Sequence, residues 1–261
     1  MLESARLRAT NISVGYDSTV INKDVTVDIP NGKVTTIIGA NGCGKSTLLR
    51  GLSRLLPLQA GSVTLDGQEL SSYKHKELAR KISMLPQSPT APPGLTVADL
   101  VARGRHPHQT WLQQWSPSHS EAVDKALELT GISDFAERSA DSLSGGQRQR
   151  VWISMVLAQD TDIVFLDEPT TYLDLAHSIE VLDLVRTLNK TQGKTIVMVL
   201  HDLNLAARYS DELIIMQKGQ LAAHGSPKDI LNETALFDAF GLRSRIIEDP
   251  CAGGPLIVPE A

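Results

Sequence analysis

The sequence predicts an α/β fold: a mostly parallel sheet, an antiparallel β arm near the N-terminal end, and a helical subdomain inserted in the middle. Three observations predict it. Short apolar runs of strand length alternate with longer stretches of helical periodicity. The early segment Leu7–Ile29 alternates in the manner of antiparallel strands. From about Ala91 to Leu157 the reading turns helical.

The elements follow in order. Lys33–Ile38 (KVTTII) reads as a buried strand running into a glycine-rich turn. Lys45–Leu56 reads as a helix with Leu48, Leu49, Leu52, Leu55 and Leu56 on one face. Ser62–Leu65, before Asp66-Gly67, resembles one arm of a hairpin. Thr96 can cap a short helix through Val97–Val101, and Ser118 with Glu121 forms a capping box for a helix ending near Gly131. Asp162–Leu166 and Thr195–Leu200 are two further buried strands. A helix from about Ala176 to Asn189 separates them, with Val181, Leu184, Val185 and Leu188 at helical spacing and Gly193 as its stop. Ser226-Pro227 opens a C-terminal helix, and a Pro/Gly-rich segment around Pro250–Pro255 suggests a small hairpin. This predicts one domain over 1–261: an α/β core from 1–90 and 158–240, an inserted helical subdomain at 91–157, and a C-terminal segment at 241–261.

Composition sets bounds. The chain has 261 residues, 41% of them apolar, which is ordinary for a globular protein. No apolar run approaches the roughly 18–20 residues that span a bilayer. The start, MLESARLRAT, lacks the apolar core of a signal peptide, so the protein is expected in the cytoplasm, acting at a membrane only through a partner. A net charge of −5 argues against a nucleic-acid partner, which favours a basic surface. Cys43 and Cys251 lie far apart, without metal-ligand spacing, and read as reduced thiols.

Three motifs carry chemistry. GANGCGKST, Gly39–Thr47, fits G-x-x-x-x-G-K-[ST] between a strand and a helix. Its glycines let backbone N–H groups face phosphate oxygens, and the helix N-terminus adds positive potential. Lys45 supplies a cation for the β- and γ-phosphates, and Ser46 a hydroxyl for Mg²⁺. In IVFLDEP, Ile163–Pro169, an apolar strand ends in two carboxylates. Asp167 is placed to hold Mg²⁺, and Glu168 to polarise an attacking water. LSGGQ, Leu143–Gln147, is a second helix start bearing glycines and a serine hydroxyl. It is redundant for one nucleotide in one chain, but makes sense facing the nucleotide of a neighbouring copy.

In this order the three motifs resemble an ABC-type ATPase, a likeness that covers nearly the whole chain and implies a P-loop ATPase core. It implies a head-to-tail dimer, with each ATP held by the phosphate loop of one copy (Gly39, Asn41, Gly42, Cys43, Gly44, Lys45, Ser46, Thr47) and by Ser144, Gly145, Gly146 and Gln147 of the other. Further positions take their roles from the same resemblance. Tyr16 would stack on adenine, Gln87 would touch Mg²⁺ and the attacking water, Asp174 would reach across the dimer, and His201 would contact the γ-phosphate. Glu168, His201 and Gln87 form the implied catalytic set; Ser46, Gln87 and Asp167 form the implied Mg²⁺ set.

TTYLD departs from the family's commoner Ser-Ala-Leu-Asp, and together with GCGKST, LARKISMLPQ, RGRHPH and VLHDLN it narrows the likeness to importers of ferric siderophores, haem and cobalamin, the siderophore branch being nearest. The resemblance implies membrane permease subunits as partners, with a periplasmic or lipoprotein substrate-binding protein acting indirectly. It places the chain at the cytoplasmic face of the membrane. Non-transport ABC-type ATPases remain the alternative, although no second ATPase unit and no long coiled coil is present. Pro92, Pro93 and Leu95 are expected at the permease edge, with Trp111 and Trp115 either joining it or packing the lobe. Cys43, beside Lys45 and the loop N–H groups, either favours the thiolate when the site is empty or is an inert small residue filling the loop. His106 and His108 are expected on the surface rather than in a metal site.

Overall fold

The computed structural model describes residues 5–110 and 115–260, so Trp111 lies outside the described residues. The chain divides into two compact units: the segments up to Ser72 and from Asn189 form one, and Tyr73–Leu188 the other.

In the first unit, strands Leu7–Tyr16 and Thr19–Ile29 pair antiparallel, Leu7 opposite Ile29 and Tyr16 opposite Thr19. Leu58–Leu65 joins the other side of the first strand, with Leu7 opposite Leu65. The alternation seen in sequence becomes one buried face, with Leu7, Ala9, Val25, Val27, Val63 and Leu65 all in the core. Asp66 and Gly67 both take positive φ (53° and 78°), the two-residue turn that matches the twist of a hairpin, and the short strand Gln68–Glu69 follows.

The second sheet of this unit is built round Val34–Gly39. Thr195–Val199 and Glu212–Gln217 flank it in parallel, and Gln220–Gly225 returns antiparallel outside Glu212–Gln217. All six residues of Val34–Gly39 are buried, as expected for a parallel strand covered on both faces. Lys45–Leu52 follows as a helix of eight residues. The sequence extends this helix to Leu56, but it stops at Leu52 because Arg54 takes φ +60° and turns the chain away. Leu55 is consequently 62% exposed rather than on the core face.

The C-terminal hairpin pairs Ser244–Glu248 with Pro255–Pro259. Asn204 anchors it, donating to the Ile257 carbonyl and accepting from the Ile257 N–H. Asp249 closes its turn, accepting from the Cys251 and Ala252 N–H groups and from the Arg208 guanidinium. The Arg208 bond and those two N–H groups hold the Asp249 carboxyl below the usual carboxylate range.

In the second unit Ile82–Leu85 and Ile163–Asp167 run parallel, and every residue of the latter is buried. Beneath their starts, the buried Ser83 and Thr161 hydroxyls bond at 2.7 Å. The helices Val97–Ala102, Pro117–Leu129 and Gly145–Ala158 pack on one another. Thr96 and Asp99 form a full capping box on the first. The second does not begin at a Ser118–Glu121 box: its N-cap is Ser116, with Pro117 in the first turn, where a missing N–H costs nothing. Leu175–Gln192 is a longer helix than the sequence suggests, and Leu182, which the periodicity omits, is fully buried on it. No helix among the described residues is long and apolar enough to cross a membrane.

Candidate nucleotide site

Tyr16, Gly39–Thr47 and His201 belong to the first unit. Gln87, Ser144–Gln147, Asp167, Glu168 and Asp174 belong to the second.

The phosphate loop leaves the buried strand Val34–Gly39 and enters the helix at Lys45. Gly44, the N-cap, is left-handed (φ +99°), and no side chain caps the helix there. A Cβ on Gly44 would come within 2.4 Å of Asn22 Nδ2, and one on Gly39 within 2.4 Å of the Met216 carbonyl oxygen, so both positions require glycine. Lys45 is only 5% exposed, and its ammonium donates to the Gly39 and Ala40 carbonyls at 2.8 and 3.1 Å. The loop thus presents a buried cation and an uncapped helix N-terminus, the elements of an anion site. Asn41 and Gly42 lie at its exposed tip.

For Cys43 the structure favours one of the two expectations. Its side chain is buried, and that burial raises the thiol pKa, outweighing the opposing pull of Lys45. Burial of the side chain therefore favours the packing reading of Cys43 over the thiolate. Its main chain is braced as well: the Cys43 carbonyl accepts from the Gly219 N–H at 3.1 Å.

Tyr16 is 43% exposed at the end of its strand, and its hydroxyl accepts from Arg50 Nη1 at 3.0 Å. His201 is exposed just beyond Thr195–Val199, and the next residue, Asp202, caps the following helix by accepting from the Leu205 N–H.

In the second unit Asp167 ends its strand almost fully buried, and Glu168 is 9% exposed. Glu168 takes φ +55°, a left-handed conformation uncommon for a residue with a Cβ and frequent at functional sites. Its Oε2 accepts from Gln87 Nε2 at 2.6 Å and from Thr171 Oγ1 at 2.9 Å. Gln87 and Glu168, distant in sequence, are therefore brought together. Thr171 is a partner that sequence reasoning missed; its spacing of three from Glu168 is that of a tight turn, and the Thr171 N–H does donate to the Glu168 carbonyl.

Leu143–Gln147 sits at the start of the fourteen-residue helix Gly145–Ala158. Ser144 Oγ accepts from the Gln147 N–H at 3.3 Å, and Gln147 Oε1 accepts from the Ser144 N–H at 3.1 Å. This capping box satisfies two of the N–H groups at the helix start from within. Ser144 and Gly145 are exposed. Gln149, one turn on, donates to the Pro169 carbonyl at 2.8 Å and ties this helix to the turn after Glu168. Asp174 is exposed and accepts from both the backbone N–H and the ring Nδ1 of His177, at 2.9 and 2.8 Å. Those bonds hold the Asp174 carboxyl below the usual carboxylate range.

Elsewhere in this unit His106 is exposed, whereas His108 is half-buried with Nε2 against the Gln159 carbonyl at 2.7 Å. Pro92 and Pro93 are exposed and Leu95 half-buried. Trp115 is 48% exposed, and its indole donates to Ser120.

A phosphate loop after a parallel strand, a strand ending in Asp-Glu and a Ser-Gly-Gly helix start define a P-loop ATPase of the ATP-binding-cassette class. The sequence profile of the ABC transporter family matches residues 22–171, and the chain belongs to that family. It is an ATP-binding subunit whose activity is ATP hydrolysis. It is 52% identical to the petrobactin import ATP-binding protein FpuD of Bacillus anthracis over 97% of this chain and 93% of that one. It is 51% identical to the ferric enterobactin transport ATP-binding protein FepC of Escherichia coli over 99% and 96%. Among solved structures, a metal-chelate type ABC transporter in an inward-facing conformation matches with a TM-score of 0.84 at 27% identity, covering 100% of this chain and 98% of that one. A dimeric bacterial ABC transporter cassette matches with a TM-score of 0.74 at 27% identity, covering 84% and 98%.

Proposed function

We propose that this chain powers uptake of a ferric siderophore: it binds MgATP, closes as a dimer of two copies, and hydrolyses ATP to drive a membrane permease from the cytoplasmic face. The observation that carries the hydrolytic half is the buried Glu168 carboxylate, bonded by Gln87 and Thr171. Near-full-length identity of about half to petrobactin and ferric enterobactin transport proteins supports the cargo.

The donor set fits Mg²⁺. Ser46, Asp167 and Gln87 offer a hydroxyl, a carboxylate and an amide oxygen, all hard donors, and a buried Asp167 suits a cation better than solvent. Bound with ATP, Mg²⁺ would neutralise charge on the phosphates.

Phosphoryl transfer asks the protein for positioning and charge more than covalent chemistry. Lys45 and the loop N–H groups, Gly39–Thr47, hold the β- and γ-phosphates. Glu168 takes a proton from water as it attacks, with Gln87 fixing the carboxylate orientation. His201 contacts the γ-phosphate, and Tyr16 stacks on adenine. Ser144, Gly145, Gly146, Gln147 and Asp174 of a second copy complete the site. Pro92, Pro93 and Leu95, in the helical subdomain 91–157, form part of the permease edge. A substrate-binding protein delivers the cargo to the permease and does not touch this chain.

The test is uptake of labelled ferric siderophore in cells lacking this gene, restored with wild type or with Glu168→Gln. Rescue by wild type alone is the expected result. Unchanged siderophore uptake on loss of the gene would remove the iron assignment and leave the ATPase; haem and cobalamin are then the cargoes to assay.

A further inference from the structure

His177 has no place in the functions assigned above, yet it touches two of the elements that the dimer reading turns toward a second copy. Its ring Nδ1 lies 2.8 Å from Asp174 Oδ1. The other side of the contact is the signature helix: a Cβ placed on Gly146 would fall 2.8 Å from His177 Cδ2 and 3.4 Å from Nε2, so the ring lies flush against that glycine. The backbone N–H of His177 separately donates to the same Asp174 oxygen at 2.9 Å. That bond is an ordinary helix cap, and any residue but proline at 177 can supply it. The ring adds what the cap does not: a link between Asp174 and the start of Gly145–Ala158.

We infer that His177 is a positioning residue that holds Asp174 and the Ser144–Gly146 segment as one surface, so that both meet the nucleotide of the second copy together. This deepens the dimer reading and rests on it. A neutral imidazole suffices, with Nδ1–H donating to the carboxylate and the ring packed on Gly146. A methyl group at 146 would push the imidazole off, so glycine there is what lets the ring approach.

The linkage matters only when the second copy arrives. The phosphate loop and Tyr16 lie in the other compact unit of the chain, so loss of the ring should leave nucleotide binding by a single copy intact. An exposed pair of this kind is worth little by itself, about threefold in an equilibrium constant. A two-fold dimer contains the link twice, which makes the expected effect on dimerisation about tenfold.

The experiment measures MgATP-dependent dimerisation by analytical ultracentrifugation in a Glu168→Gln background, which slows hydrolysis. MgATP affinity of dilute monomer and thermal stability are measured on the same samples. Expected for Glu168→Gln with His177→Ala is a dimer about tenfold weaker, with monomer affinity within about twofold of the parent. His177→Asn can keep a donor near the Nδ1 position but loses the ring contact, and should fall between the two. Equal dimerisation in parent and His177→Ala would overturn the assignment. So would a parallel loss of monomer affinity or a large drop in thermal stability, which is what a purely structural histidine would show. A Glu168→Gln parent that fails to dimerise with MgATP would overturn the dimer reading itself, and the assignment with it.

Discussion

The phosphate loop and the LSGGQ segment are both helix starts built from glycines and a hydroxyl, but they treat the exposed donors of the helix in opposite ways. At Gly44 no side chain caps the helix, the backbone is left-handed, and a buried lysine sits over the loop. At Ser144 the N-cap is extended, and a reciprocal Ser144–Gln147 box satisfies two of the N–H groups from within. The first start, uncapped and beside a buried cation, has the elements of an anion site. The second carries its own side-chain cap and presents exposed serine and glycine to the outside. One chain thus carries one demanding site and one self-sufficient surface, as expected if the surface serves a site on another copy.

This contrast can be broken by turnover, binding and stability, in falling order of effect. Glu168→Gln touches neither helix start. It should lower ATP turnover about 10²–10⁴-fold, the usual worth of a general base, with MgATP affinity nearly unchanged. If affinity falls equally, the carboxylate belongs to binding and the division of labour is wrong. Lys45→Ala attacks the demanding site directly. Loss of a charged hydrogen-bond donor to phosphate should weaken MgATP binding by single copies about 10–10²-fold, read by titration calorimetry.

Ser144→Ala attacks the self-sufficient surface. It should cost about 1 kcal/mol of stability in urea denaturation through loss of the cap, while monomer MgATP affinity stays put. A fall in monomer affinity would mean that the surface serves its own chain. The smallest effect concerns Cys43. Because burial raises its pKa, its thiolate should be scarce at pH 8 and keep increasing past the ordinary thiol range as pH rises. Alkylation followed by peptide mass spectrometry should find Cys43 reacting severalfold more slowly than the exposed Cys251. Faster reaction at Cys43 would restore the thiolate reading.

Legibility followed locality. The loop Gly39–Thr47, the carboxylates Asp167 and Glu168, and the start at Ser144 are each contiguous, with glycine and apolar patterning that reports a strand or helix end within a few residues. The buried strands were readable because parallel strands covered on both faces are apolar without interruption. The errors fell where a single backbone torsion or a distant neighbour decides. Arg54 ends a helix whose leucine spacing continues to Leu56, and nothing in an arginine announces φ +60°. Ser116 rather than Ser118 is the N-cap position of Pro117–Leu129, with no side-chain bond to the helix, because Pro117 fits the first turn. The role of His177 was hidden because its spacing from Asp174 reads as an ordinary cap, and only the fold brings Gly146 against the ring.

By itself the sequence determined the α/β class and the family, and it supplied the side chains proposed to meet phosphate, Mg²⁺ and water, since all of these rest on residue type at short spacing. Tertiary structure alone decided how these groups are tuned. It set the burial that raises the Cys43 thiol pKa and the carbonyls that hold Lys45. It also brought the Gln87 amide to Glu168 and the Asn204 bonds to the C-terminal hairpin. Solvation and hydrogen-bond geometry depend on atoms contributed from far along the chain, and no local window of sequence contains them.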